Sequence, residues 1–443
     1  MKQIDLLHDP VRNVFINYLI PSVSATMVTS IYILADTMMI GRGVGANGLA
    51  ALNILLPMYS TFYGFGMMCG IGGSVLFGFS RGKGEEKEAR GYFTTALFLA
   101  AVLAILSAVL CNVFFEPLLN FLGCTSSMRE YAVPYGRILM TVSPTYIFSC
   151  FLQAFVRNDG APRLAMAGVV SGGITNVILD YLFIYVFGWG MAGAALATVV
   201  GTVLTIGILC SHFFKKDNHL KLSGEISFKK AKDVLANGMP SFIMELSSGV
   251  IMLLFNLQLL KYVGDIGVVV YGIISNVALV VTSLSNGIAQ AAQPMISANY
   301  GAGNMDRVRE GRNIGLVVAM AAGVLFTACG FVIPVPIAEL FLVPTEQIIA
   351  MAVPAIKLYF ISFVISEWNI ICGTYFQAIV KPKLSLLITL LRGVILNSVL
   401  VFILPAVFGV NGIWMVVTVS EVVTAIVVVW FMRKDSQDGI LRK

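Results

Sequence analysis

Two acidic side chains stand in stretches that are otherwise apolar enough to cross a lipid bilayer. Asp36 lies in 29-TSIYILADTMMIGRG-43, and Asp180 follows Asn176 by one helical turn in 175-TNVILD-180. Residues four apart share a helix face, so the Asn176 amide oxygen and the Asp180 carboxylate point into the same space. Such oxygens suit a proton or a hard cation. An aspartate at mid-membrane is costly unless it faces the protein interior or a water-filled path, so these residues predict a function.

A second interpretation of Asp36 remains open. Gly41 and Gly43 follow it within two helical turns, so Asp36 could stand near the outer end of its helix, where water reaches the carboxylate at little cost.

Composition indicates an integral membrane protein. Of the 443 residues, 58% are hydrophobic and 12% are charged, whereas a soluble domain carries about 25% charged residues. About 20 apolar residues span a hydrocarbon core of ~30 Å. We expect twelve all-α spans, near 13–38, 48–77, 92–115, 132–156, 164–187, 191–214, 233–260, 268–294, 312–334, 350–376, 384–407 and 411–432.

Several kinds of chemistry are not supported by any motif. The loops are too short for a catalytic domain, and P-loop, G-x-S-x-G, HExxH and DDxxD motifs are absent, so we predict no enzyme and no ATP-driven pump. The seven cysteines form no CxxC pair, which argues against a metal site or a disulfide framework. His8, His212 and His219 lie in the amino-terminal segment and at the long central loop, so no membrane-embedded histidine relay is expected. We expect no cofactor other than a coupling ion.

Charge placement predicts the orientation. The N-terminus, the C-terminus and the even-numbered loops hold 23 Lys and Arg, against three on the opposite side: Arg42, Arg129 and Lys261. The positive-inside rule therefore puts both termini in the cytoplasm. The net charge of +6 then reflects topology, and no nucleic-acid partner is expected.

An internal repeat divides the chain. Aligning 21-PSVSA with 240-PSFIM at an offset of 219 also pairs Gly45 with Gly264, Gly82 with Gly301 and Arg90 with Arg309. A duplicated unit of six spans gives two lobes of the same orientation, related by an axis along the membrane normal. We predict an N-lobe over 1–214, a cytoplasmic linker over 215–232 and a C-lobe over 233–443. The Asn176 position is matched by Asn397, but Asp180 is matched by Val401, so only the N-lobe carries the acid pair.

Several segments resemble the multidrug and toxic compound extrusion (MATE) family, and within it the bacterial DinF-like branch. They are 35-ADTMMIGRGVGANGLAALNILLP-57, 80-SRGKGEEKEARGYF-93, 293-QPMISANYGAGN-304 and the paired turns 152-LQAFVR and 376-FQAIVK. The resemblance covers about residues 10 to 432. It implies twelve helices in two parallel lobes with a central cavity between them.

The resemblance also implies a set of site residues. In this family, a cation or proton site in the N-lobe is formed by an Asp of helix 1, an Asn and an Asp of helix 5 and a Thr of helix 6. The matching residues here are Asp36, Asn176, Asp180 and Thr198, where Na⁺ is one candidate ion. The Ala194 carbonyl and the Tyr135 hydroxyl are weaker matches. Na⁺ and H⁺ both remain open.

Charged residues inside the C-lobe spans include Glu245, Lys357, Glu367, Arg392 and Glu421. Some branches of the family place functional carboxylates in helices 7 and 10, which contain Glu245 and Glu367. Contact with the substrate or coupling ion and structural pairing between helices are therefore both open for these two acids.

The prediction that follows is a secondary antiporter. It would export amphipathic, cationic, drug-like organic compounds in exchange for Na⁺ or H⁺ by alternating access. We expect a monomer with multiple spans in a bacterial plasma membrane, with lipid and small-molecule substrates as its partners. The alternatives are an exporter of one defined metabolite, a lipid-linked oligosaccharide flippase of the same superfamily and a passive channel.

Overall fold

The computed structural model describes residues 5–224, 226–341 and 344–441, with side chains through Lys434, and over these ranges the chain is helical and contains no β-strand. Eleven helical segments are each long and apolar enough to cross a membrane. A further pair, bent by 51° at a short break, completes the twelfth span, in agreement with the predicted number. Pro144 stands in the first turn after this break and cannot donate a hydrogen bond that would continue the helix.

The first six spans form the N-lobe. Its helices are α1 (Val11–Gly43), α2 (Ala46–Gly82), α3 (Glu86–Val113), α4 (Phe115–Phe121), the bent pair α5 (Ser126–Thr141) and α6 (Ser143–Asn158), α7 (Pro162–Asp180) and α8 (Gly190–Cys210). A π-helical turn, Tyr181–Val186, follows α7, and a 3-10 turn, Ser211–Phe214, follows α8.

The last six spans form the C-lobe. Its helices are α9 (Phe228–Tyr262), α10 (Asp265–Gly301), α11 (Met305–Val332), α12 (Pro334–Glu339), α13 (Glu346–Ala378), α14 (Pro382–Leu390), α15 (Leu396–Phe408) and α16 (Val410–Leu441). A π-helical turn, Leu391–Ile395, joins α14 to α15.

Reciprocal glycine contacts show how the two lobes are related. A side chain at Gly82 would strike the Ala298 carbonyl, and a side chain at Gly301 would strike the Phe79 carbonyl. Gly82 pairs with Gly301, and Phe79 with Ala298, at the same offset of 219 that relates the repeats. The two contacts are therefore equivalent under the pseudo-two-fold axis. Only glycine allows the backbones of α2 and α10 to approach so closely.

Further contacts between the lobes lie in the half of the bundle that holds both ends of the described chain. Gly238 of α9 packs against the Met68 backbone of α2, and the Arg157 guanidinium donates to Gln290 Oε1 of α10 at 2.7 Å. Nearer the middle of α1, Ser30 hydrogen-bonds to Ser283 of α10. We call this half of the bundle the closed end.

The helix α1 belongs to both lobes. At the closed end, Val14 and Phe15 pack into the C-lobe core beside Ile288 and Ala292. Farther along the same helix, Ile40 packs into the N-lobe core. One continuous helix therefore links the C-lobe to the part of the N-lobe that carries Asp36.

Candidate functional site

The carboxyl groups of Asp36 and Asp180 lie close enough inside the N-lobe to interact with each other. Asp180 is fully buried at the end of α7, and Asp36 is half-buried two turns before the end of α1. Two carboxylates at this separation repel each other unless a proton or a cation lies between them.

Asn176 and Thr198 extend this site from α7 to α8. The Asn176 amide donates to Thr198 Oγ1 at 3.3 Å, and the Thr198 hydroxyl donates to the Ala194 carbonyl at 3.1 Å. Gly172 and Gly201 bring the two helices together, because a side chain on either would strike the backbone of the other. We call Asp36, Asn176, Asp180 and Thr198 the N-lobe site.

A π-helical turn begins directly after Asp180. Single π-turns inside helices are frequent at functional sites, because the extra residue redirects the side chains around it. Within this turn, the Tyr185 hydroxyl donates to the Met39 carbonyl of α1 at 3.1 Å. This bond lies one helical turn from Asp36 and connects the two helices that supply the carboxylates.

The oxygens of the site are suited to a cation. Four buried atoms, Asp36 Oδ1, Asn176 Oδ1 and both carboxylate oxygens of Asp180, have no hydrogen-bond partner among the described residues. Buried polar atoms in native proteins nearly always have a partner, so this group of acceptors is a candidate site for a proton, a cation or water. Hard cations such as Na⁺ prefer oxygen ligands, and a proton on one carboxylate would let it donate to the other.

The surroundings of the site are polar on one side. Tyr135 is buried and close enough to interact electrostatically with both carboxylates. Asn176 and Thr198 also line a cavity of about 50 Å³, which Tyr32 and Gln153 border from α1 and α6. The residues predicted for the N-lobe thus lie together: Asp36, Asn176, Asp180, Thr198, Ala194 and Tyr135.

In the C-lobe, the buried acid Glu421 is paired with a basic side chain. Arg392 donates to Glu421 Oε1 at 2.7 Å, with 17% and 5% of the two side chains exposed. Asn369 Nδ2 donates to the other Glu421 oxygen at 2.6 Å. Glu421 is therefore neutralised by a fixed cation of the protein itself.

The two C-lobe acids singled out from the sequence lie apart from each other. Glu367 of α13 is fully buried and accepts a hydrogen bond from the Ser285 hydroxyl of α10. Glu245 of α9 is half-buried at the contact between the lobes, opposite Gly64 of α2 and near Tyr63. Their functional roles stay predictions.

Sequence reasoning missed two charged groupings. The sequence does not indicate that Arg392 pairs with Glu421, although the two opposite charges lie in consecutive spans. Asp159 at the end of α6 is buried among Arg81, His212 and His219. Its partners come from α2 and from the segment after α8, and no local spacing indicates that contact.

Comparison with known proteins identifies the family. A sequence model of the MatE family matches residues 21–182 and again 240–403. The multidrug export protein MepA of Staphylococcus saprophyticus is 23% identical over 417 residues, which cover 93% of this chain and 91% of that protein.

Solved structures agree in fold. A MATE family transporter of the MOP superfamily, described in an outward-facing conformation, matches with a TM-score of 0.92 at 23% identity, over 99% of both chains. A MOP superfamily transporter from Pyrococcus furiosus, described as having a binding pocket of reverse polarity, matches with a TM-score of 0.91 at 23% identity, over 99% of both chains.

The family model matches the chain twice, once in each lobe. Assignment to the DinF-like branch stays a prediction. With the twelve spans and the two lobes, these matches establish that this chain belongs to the MatE family of membrane transporters, the multidrug and toxic compound extrusion proteins.

Proposed function

We propose that this transporter is a secondary antiporter that exports amphipathic, cationic organic compounds in exchange for Na⁺ or H⁺. The observation that carries the proposal is the group of four unpartnered buried oxygens of Asp36, Asn176 and Asp180. Export of several drugs is supported by the similarity to MepA, which is named a multidrug export protein.

The ion would act by neutralising the N-lobe site. A pair of carboxylates without a neutralising partner is costly in an occluded state, so occupancy of the site biases the equilibrium between lobe arrangements. The helix α1 offers a physical link, since its first turns pack in the C-lobe and its outer half carries Asp36. Pro21 lies between these two parts and is our candidate hinge.

The membrane potential can supply the free energy for uphill export of a substrate. One cation moving inward through about 100 mV releases about 2.3 kcal/mol, enough to sustain roughly a fiftyfold gradient of a neutral substrate. Export of a cationic substrate requires more than one coupling charge or an added chemical gradient.

The deciding experiment uses purified protein in proteoliposomes with a fluorescent organic cation as substrate. Na⁺ and pH gradients are imposed separately, with the membrane potential clamped in each case. We expect one of the two gradients to drive uphill substrate movement without ATP. Downhill movement only, with no response to either gradient and no counterflow, would indicate a passive channel and contradict the proposal.

We further propose that the protein acts as a monomer in a bacterial plasma membrane, with the closed end in the cytoplasm. The 23 Lys and Arg predicted on that side support this orientation. Ser223→Cys should react with a membrane-impermeant thiol reagent only from the cytoplasm, and Phe121→Cys only from outside, with wild-type protein as the blank. Labelling of Ser223→Cys in intact cells would reverse the orientation.

A further inference from the structure

The segment between α8 and α9 is fastened to the N-lobe by a buried carboxylate. Asp159 Oδ2 lies 2.8 Å from His212 Nε2 and accepts the His219 backbone N–H at 2.9 Å. Asp159 Oδ1 lies 3.1 Å from His219 Nδ1 and accepts from the Arg81 guanidinium at 3.0 Å. This part of the segment therefore has a defined path over the closed end of the N-lobe.

A second fastening follows a few residues later. The Ser223 backbone N–H donates to Thr94 Oγ1 of α3 at 2.8 Å, and the Leu220 side chain between the two fastenings is buried. With one side held against the N-lobe in this way, the other side of the segment has a fixed orientation.

The outward side carries large apolar side chains. Phe214 is 91% exposed, Phe228 88%, Leu222 67% and Ile226 55%. Exposure on this scale is unfavourable in water for four apolar side chains of one short segment, so they indicate a surface that contacts a membrane or a partner.

Lysines surround these apolar side chains. Lys215, Lys216, Lys221, Lys229 and Lys232 are exposed, and Asp217 is the exposed acid described among them. Lys230 differs, because it forms an ion pair with Glu88 of α3 at 3.1 Å. We call Phe214, Lys215, Lys216, Lys221, Leu222 and Phe228 the linker surface.

The position of the linker surface matches the bilayer boundary. The helix α9 begins at Phe228 and has 35 residues, which corresponds to about 52 Å at 1.5 Å per residue and exceeds the ~30 Å hydrocarbon core. Lys229, Lys230 and Lys232 stand in its first turns, so we place those turns in the headgroup layer, and the preceding candidate span ends at Phe214. A soluble partner would have to compete with lipid for this location.

We propose that the linker surface binds anionic lipid headgroups of the leaflet at the closed end, with its apolar side chains inserted beside them. Aromatic and aliphatic side chains flanked by lysines are the pattern of interfacial binding, in which the chains enter the acyl boundary and the ammonium groups meet phosphate. Because the segment joins Asp159 of the N-lobe to the first helix of the C-lobe, the lipid would hold the connection between the lobes.

The test uses Phe228→Trp in vesicles of phosphatidylcholine and phosphatidylglycerol, in which one or the other lipid carries brominated chains. The fluorescence that the new tryptophan adds over wild type should be quenched, and quenched several-fold more by the brominated anionic lipid. High salt should weaken this preference, because the lysines are exposed and screened. Leu222→Trp is measured in parallel, so a folding defect of one variant does not decide the result.

Matched charge variants separate lipid binding from simple proximity. Lys215→Gln combined with Lys216→Gln and Lys221→Gln should abolish the preference for the anionic lipid, whereas Lys261→Gln at the opposite end should retain it. Absence of quenching in both tryptophan variants would overturn the proposal, as would a preference that survives the triple substitution. Displacement by excess soluble glycerol phosphate would also overturn it, because the site would then bind a free phosphate. Antiport activity is not a readout, so the outcome is independent of the proposed function.

Discussion

The two lobes are copies of one six-span unit, yet the acid pair of the N-lobe site and Glu421 of the C-lobe differ in their neutralising partners. In the C-lobe, Glu421 has its own cation, Arg392, at 2.7 Å. In the N-lobe, Asp36 and Asp180 lie near each other, and neither carboxylate oxygen of Asp180 has a hydrogen-bond partner among the described residues. An acid that pairs with a basic side chain has a permanent partner within the protein. An acid without such a partner depends on an ion that binds and dissociates. The difference supports our proposal that ion coupling resides in the N-lobe and that the C-lobe ion pair is structural.

The largest expected effect is loss of coupled transport on neutralising the N-lobe acids. Asp36→Asn and Asp180→Asn should each reduce gradient-driven efflux from proteoliposomes to the level of protein-free vesicles, because each variant lacks one of the two carboxylates that would hold the coupling ion. Both should fold, since Asn is nearly isosteric and removes a buried charge. Direct binding of the coupling ion should fall in parallel. Efflux at the wild-type rate by either variant would leave Asp36 as a water-exposed residue of the helix end.

The second expected effect concerns stability in the C-lobe. Arg392→Met leaves Glu421 buried without its cation and should cost about 3–5 kcal/mol of unfolding free energy. The double variant with Glu421→Met should recover most of that loss, because no unpaired charge remains. Thermal unfolding in detergent measures both variants. If the single variant were as stable as wild type, the pair would not be structural.

A smaller effect is expected from the hydroxyl that supports the N-lobe site. Thr198→Val removes the acceptor of the Asn176 amide and should weaken ion binding by about 1 kcal/mol, or roughly fivefold. Thr202→Val is the matched control, because Thr202 lies one turn farther along α8 and its hydroxyl bonds only to the Thr198 carbonyl among the contacts described. Titration of the coupling ion distinguishes the two. Equal affinity in all three proteins would remove Thr198 from the site.

The smallest effect on coupled efflux is expected at Glu367, a buried acid of the C-lobe. Glu367→Gln keeps an oxygen that can accept from Ser285, so coupled efflux should be largely unchanged at normal expression. Complete loss of coupling in a folded Glu367→Gln protein would place a second coupling site in the C-lobe and weaken the contrast between the lobes.

Much of the N-lobe site could be predicted from the sequence. The four-residue spacing places Asn176 and Asp180 on one helix face whatever the packing, and the apolar context of Asp36 indicates a buried role. The Arg392–Glu421 pair and the Asp159 cluster could not be predicted in this way, because each joins helices whose relative rotation is set by packing over their whole length. The role of Ser285 as partner of Glu367, 82 residues away along the chain, depends on the same packing.

The sequence by itself determined the twelve spans, the duplication and the side on which positive charge accumulates. These features depend on composition and period along one chain, and on the cost of exposing polar groups to lipid. Only the tertiary structure decided which acids are neutralised by the protein and which are not. That outcome depends on approaches of a few ångströms between helices, such as the Gly172 and Gly201 contact that brings Asn176 to Thr198. An aspartate or glutamate reads the same in the sequence whether or not a guanidinium lies beside it in the fold. The electrostatic energy of its carboxylate, however, changes steeply with the distance to the guanidinium.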